Sequence, residues 1–138
     1  MPTSQITSSA ELAGLNWMFT QIPMTGPNAR PTTWFGALST TDPTVAGTSG
    51  IEPVGNGYSR QSIIFSPASG GPAQVANTAI VQFTASGGSW GTIIYLMVYD
   101  SLTLGSCWAV GPLTTPRPVN NGDTLQFQPS QISIGYTS

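Results

Sequence analysis

Ser89-Trp90-Gly91-Thr92-Ile93-Ile94-Tyr95-Leu96-Met97-Val98-Tyr99-Asp100 is the most strand-like run in the chain. From Thr92 to Tyr99 every residue is β-branched, aromatic or long aliphatic, and Gly91 and Asp100-Ser101 bound the run. It is too short to span a bilayer. Extended, it places Ile93, Tyr95, Met97 and Tyr99 on one face and Ile94, Leu96 and Val98 on the other, so both faces need cover. A strand apolar on both sides belongs in the middle of a sheet. That predicts a β-sandwich, with the N-terminal segment or a neighbouring subunit covering what the second sheet leaves open.

Strand signals continue on both sides of this run. Asp100 to Gly105 connects it to a hairpin partner, Ser106 to Val110, and Pro112 with Pro116-Arg117-Pro118-Val119 reads as an edge segment, because proline cannot donate to a ladder. Asn121-Gly122-Asp123 is a tight turn before Thr124 to Gln128, and Gln131 to Tyr136 alternates as the last strand. Upstream, Thr32 to Ser39 and Tyr58 to Phe65 read as strands, the latter with Ile63 and Phe65 inward. Short strands follow at Gln74 to Asn77 and Ala79 to Thr84, with Ile80, Val81 and Phe83 as core candidates. Residues 40–57 form a long loop rich in Thr, Ser and Gly, closed by Asn56-Gly57. A loop of that length is usually a binding loop or a segment ordered by a neighbour.

The N-terminal third differs. Residues 1–8 read as an arm that orders only when held. Leu12, Leu15 and Phe19 then recur at helical spacing, with a Ser N-cap at Ser8-Ser9 and Glu11 in the first turn, which predicts a helix over Ser9 to Thr20. Trp17 and Met18 widen its apolar face, so it must dock, either on its own sandwich or on a neighbouring protein. Pro23, Gly26, Pro27 and Pro31 make a stiff connector. The expected fold is all-β, an antiparallel β-sandwich of the jelly-roll or Ig-like kind, with a short N-terminal helix and extended arm. The arm and connector occupy residues 1–31 and the sandwich residues 32–138.

Charge is the unusual quantity: 6% of the 138 residues are charged, against about a quarter in ordinary globular domains. There is no Lys or His, and Arg30, Arg60 and Arg117 are too scattered for a nucleic-acid footprint. A surface built from Thr, Ser, Gly, Pro, Asn and Gln is easily desolvated and suits packing in an assembly. One cysteine, Cys107, fits synthesis in a reducing compartment. Met1 to Ile6 lacks the basic start and apolar run of a secretory leader.

Reactive constellations are hard to assemble from this inventory. Without His or Lys the usual Ser or Cys nucleophile has no base, and Cys107 beside Trp108 reads as a buried, inert thiol. Neither a metal nor a cofactor is expected. A carboxylate pair for glycoside hydrolysis would have to come from Asp42, Glu52, Asp100 and Asp123, all beside turn residues where ordinary turn chemistry accounts for them. Trp34, Trp90, Trp108, Tyr58, Tyr95 and Tyr99 offer stacking faces for carbohydrate, and core packing explains the same residues.

The run Trp34 to Thr48, containing Leu38-Ser39-Thr40-Thr41-Asp42-Pro43-Thr44 and Ala46-Gly47-Thr48, followed by Gly57-Tyr58-Ser59-Arg60-Gln61-Ser62-Ile63-Ile64-Phe65, resembles small tailed-bacteriophage virion proteins. The likeness continues through Ser69-Gly70-Gly71, Ala76 to Phe83, Trp90-Gly91-Thr92 and Val98-Tyr99-Asp100, and ends with Leu113 to Pro116 and Gly122 to Phe127. The resemblance implies a virion component without enzymatic activity, of the tail-fibre-like or capsid "cement" type.

Together with the low charge, the N-terminal segment and the long loop, this leads to the expectation of a capsid decoration protein. It would be a homo-oligomer, a trimer, bound to the major capsid protein on the virion exterior and made in the host cytoplasm, with no nucleic-acid or membrane partner. A minor tail or fibre-associated adaptor is the alternative, and a carbohydrate-binding module contacting the host surface is a further one. Expected assembly contacts are Leu12, Leu15, Trp17, Met18 and Phe19 on the helix and Asp42 and Glu52 in the loop.

Overall fold

The structure, a computed structural model, describes residues 5–19, 30–71 and 73–135. Among the described residues nine strands and one helix follow in order: β1 (Gln5–Ile6), α1 (Ser8–Phe19), β2 (Trp34–Ser39), β3 (Gln61–Ile63), β4 (Gln74–Ala76), β5 (Val81–Thr84), β6 (Gly91–Tyr99), β7 (Cys107–Val119), β8 (Thr124–Phe127) and β9 (Ser133–Gly135). Every pairing is antiparallel. A five-stranded sheet, β1-β7-β6-β2-β3, faces a layer made of two ribbons, β4-β9 and β5-β8. The fold is thus the expected all-β sandwich with one short helix.

The run that opened the sequence reading is central: β6 lies between β7 and β2. Its faces are not the strictly alternating ones. Ile93, Leu96 and Val98 all enter the main core with Leu38, Phe83, Leu125, Phe127 and Ile132, while Met97 belongs to a second cluster with Ala37, Cys107 and Val110. The cause is an irregularity in the β6-β7 ladder, where Ile93 pairs with Arg117 but Tyr95 pairs with Pro112. Residues 113–116 therefore bulge opposite Ile94, and the inward phase of β6 shifts by one residue across the break.

Prolines shape the same ladder. The expected hairpin partner and the expected edge segment are one continuous strand, β7, running through Pro112, Pro116 and Pro118. The Trp108 carbonyl accepts from Thr7 N on the β1 side, so Pro112, four residues on, also turns its backbone away from β6. At the other end the Val119 carbonyl accepts from Trp90 N on the β6 side, which turns Pro118 outward. The missing N–H groups of Pro112 and Pro118 thus fall on the side of β7 away from β6, where they cost no bond of the β6–β7 ladder.

Other boundaries tightened. Of the stretch Tyr58 to Phe65 only Gln61–Ile63 is strand, with Phe65 in an isolated bridge to Asn77. Ile63 is buried and Phe65 packs on the core as expected, whereas Ile80 is exposed because β5 begins one residue later, at Val81. The turn at Asn121 to Asp123 carries the chain from one layer to the other, since β8 pairs with β5.

The described end of the arm, Gln5 to Ser8, is held by its own chain. Gln5 and Ile6 pair with Val110 and Ala109, and Thr7 is fully buried. Thr7, rather than Ser8 or Ser9, caps α1: its Oγ1 accepts from Ala10 N at 3.3 Å and donates to the Cys107 carbonyl at 2.8 Å. One threonine thereby welds the helix start to β7. The expected proline connector lies largely at 20–29, outside the described residues.

Candidate functional site

Two segments carry the expected assembly residues, and the structure uses them differently. The loop after β2 returns over the outer face of the five-stranded sheet. Gly50 sits so close to Met97 that a Cβ there would lie 2.5 Å from its Sδ. Gly47, at φ +71°, would place a Cβ 3.0 Å from the Cys107 side chain and 3.1 Å from Thr7. Ser39 Oγ donates to the Thr41 carbonyl and accepts from Ile51 N at 3.0 Å, closing the loop on its base. Cover for the second face of β6 thus comes from residues 40–51 of the same chain.

The loop ends in a brace. Glu52 meets Arg60 through two bonds, Nη2 to Oε2 at 2.8 Å and Nε to Oε1 at 3.0 Å, and Tyr58 Oη donates to Oε1 at 2.7 Å. Tyr58 Oη in turn accepts from Leu38 N, a β2 amide that β3 is too short to pair. The Arg60 guanidinium lies 3.7 Å from the centroid of the Tyr99 ring and donates through Nη1 to the Ser101 and Leu104 carbonyls at 2.8 and 2.7 Å. Burial by itself would raise the Glu52 pKa, but the bonds from Arg60 and Tyr58 and the guanidinium charge outweigh it and hold the carboxyl below its ordinary value. Burial and the bond to Glu52 push the Tyr58 phenol up.

The remaining carboxylates serve turns. Asp42 accepts from Thr44 N at 2.8 Å and stands beside Tyr95. Asp100 accepts from Ser106 N and Trp108 Nε1 at 2.8 and 3.2 Å, and Asp123 accepts from Asn120 N at 2.9 Å. Each of the four carboxylates considered for hydrolysis is thus engaged in a turn or in the brace, and no metal-holding cluster of three or more residues occurs among the described residues. Cys107 is buried against Thr7 and the loop, and burial pushes its thiol up to about 11. No described helix is long and apolar enough to cross a membrane.

The helix is the opposite case. Leu12, Leu15, Met18 and Phe19 are 63%, 53%, 49% and 78% exposed, so their side chains face solvent and do not plug the sandwich. Trp17 is on α1, with its side chain outside the described set. Apolar residues are not confined to one side of α1, and Glu11 is its only charge. At the helix root lies an open apolar cavity of about 290 Å³. Ile6 and Ala10 line it from the helix side, with Trp34, Trp108 and Ile134 from the strands. The two indoles meet edge to face, centroids 5.7 Å apart. Sequence reading had these tryptophans only as stacking candidates, because the cavity is assembled from β1, α1, β2, β7 and β9, which no local pattern links.

The site thus consists of a braced sandwich, a loop sealed onto its own sheet, and a helix with four large apolar side chains exposed. A family model described as podophage GP4 fiber I protein gp80 matches residues 5–135, and the chain belongs to that family. No curated protein matches it. The chain is therefore a phage virion structural protein of the fibre type, as its resemblance implied. The family description names a fibre and no capsid partner.

Proposed function

We propose that the protein is a fibre-associated component of a podophage virion, in which the sandwich is a rigid body and α1 is the element that joins it to neighbouring subunits. The observation that carries this reading is the row of exposed apolar side chains Leu12, Leu15, Met18 and Phe19 on a helix whose start is fixed to β7 by Thr7. Large apolar groups left in water on a folded protein mark an interaction surface. The family's fibre description favours this assignment over the capsid decoration expected from the resemblance, the low charge, the N-terminal segment and the long loop.

The test is a particle assay. Phage carrying Leu12→Ser, Leu15→Ser and Phe19→Ser together should assemble without the protein, although the purified variant folds. Retention of the variant at wild-type occupancy refutes the proposal. Densitometry of wild-type particles reads the location: a fibre component is present in a few copies, whereas a shell-covering cement protein is present in hundreds.

A further inference from the structure

A projection and a hole stand side by side on one surface. Leu12, Leu15 and Phe19 fall at i, i+3 and i+7 with Met18 beside them, giving a stripe on α1. The apolar cavity opens at the root of the same helix, where Ala10 lines it. None of the four exposed side chains lines the cavity of its own protomer. A patch that holds both a knob and its matching hole is self-complementary, which is the requirement of an isologous pair.

We infer that the partner of α1 is a second copy of this chain, with the Leu15 and Phe19 end of each helix seated in the Trp34–Trp108 cavity of the other across a two-fold axis. This rests on the reading of α1 as the assembly element and names what it first assembles with. No charge has to be desolvated, because the cavity lining contains no ionisable side chain and the stripe itself is uncharged. Size is adequate too. Four side chains of this kind, half to three-quarters exposed, remove on the order of 500 Å² per copy, so the reciprocal pair with its cavity rims exceeds the roughly 1,000 Å² that a specific interface requires. Packing indole faces and aliphatic groups into a water-poor hole is the arrangement that concentrates binding energy in a few residues.

The experiment is sedimentation equilibrium of the full chain together with tryptophan emission across a dilution series. The wild-type protein should be a dimer at high micromolar concentration, and its emission should shift to the red on dilution as Trp34 and Trp108 open to water. Trp34→Phe and Trp108→Phe should each remove part of that shift. Leu15→Asp with Phe19→Asp should weaken pairing by more than about tenfold with unchanged far-ultraviolet dichroism. Val75→Trp, which narrows the cavity from β4, should weaken it without touching the helix. A wild-type monomer, a three-fold oligomer, or a dimer indifferent to both variants overturns the inference. A monomer whose indoles are already shielded means that the cavity is filled by its own chain, and that also overturns it. Failure here is separable from failure of the fibre reading: if the wild type is monomeric yet the serine variant is lost from particles, only the self-pairing is wrong.

Discussion

The loop from Thr40 to Arg60 and the helix α1 are the two long departures from regular sheet in the described chain, and they spend their side chains in opposite ways. The loop is polar, yet it turns inward: Ser39, Glu52, Tyr58 and Arg60 tie it to the sheet through short bonds, and its glycines seal Met97 and Cys107. The helix is apolar, yet it points outward, with Phe19 78% exposed. Polar composition therefore does not mark a surface, nor apolar composition a core. What decides is whether the groups find partners within the chain. The loop's polar groups Glu52, Tyr58 and Arg60 do, down to an orphan amide of β2, whereas Leu12, Leu15, Met18 and Phe19 of the helix stay exposed.

This contrast breaks most visibly at Arg60. Arg60→Ala leaves Glu52 half-buried without its counter-ion and strips donors from the Ser101 and Leu104 carbonyls. The expected loss is about 3–5 kcal/mol by urea denaturation. A loss below about 1 kcal/mol would mean that the loop is merely laid on the sheet. Met97→Ala tests the other half of the seal. Met97 is fully buried under Gly50, and its truncation should cost about 2–4 kcal/mol.

Thr7 joins the two regions, since it caps α1 and packs under Gly47. Thr7→Val, which keeps the shape and removes both bonds, should cost about 1–2 kcal/mol and accelerate amide exchange at Ala10. Acid provides a graded version of the Arg60 test. Folded Glu52 binds its proton less tightly than the unfolded carboxyl does, so its stabilisation is fully present above the ordinary value of 4.5 and disappears as pH falls through the lower folded value. Wild-type stability should therefore drop below about pH 4.5 more steeply than that of Glu52→Gln/Arg60→Met. Parallel curves would show that the brace is not the titrating element. The smallest effect belongs to the helix: Leu12→Ser or Phe19→Ser should change the stability of the dilute protein by less than about 0.5 kcal/mol. A larger loss would place those side chains in the fold rather than in an interface.

Several elements were legible without coordinates because their signals are local. A run apolar on both faces could only be a central strand, and β6 is one. Asp and Asn beside Gly and Pro announced the turns at Asp42, Asp100 and Asp123, and the prolines, which cannot donate to a ladder, suggested an edge segment that is in fact the second half of β7. The face assignment of Ile93 went astray because a bulge is a property of two strands, and alternation within one strand carries no trace of it.

Composition and order by themselves determined the fold class: short strands with turn residues between them and a helical N-terminal stretch were enough to indicate a β-sandwich, while the virion assignment came from the resemblance carried by motifs such as Thr40-Thr41-Asp42-Pro43. Tertiary structure alone decided which groups are used up and which remain open. Asn77 shows the reason. It is buried and donates to the Ala79 and Gln128 carbonyls while accepting from Ile132 N. It thus fastens segments some 50 residues apart, as the 51- and 55-residue separations of two of those bonds record. Partners so distant in the chain are chosen by packing in three dimensions, and so are the Glu52–Arg60 brace and the cavity left beside α1.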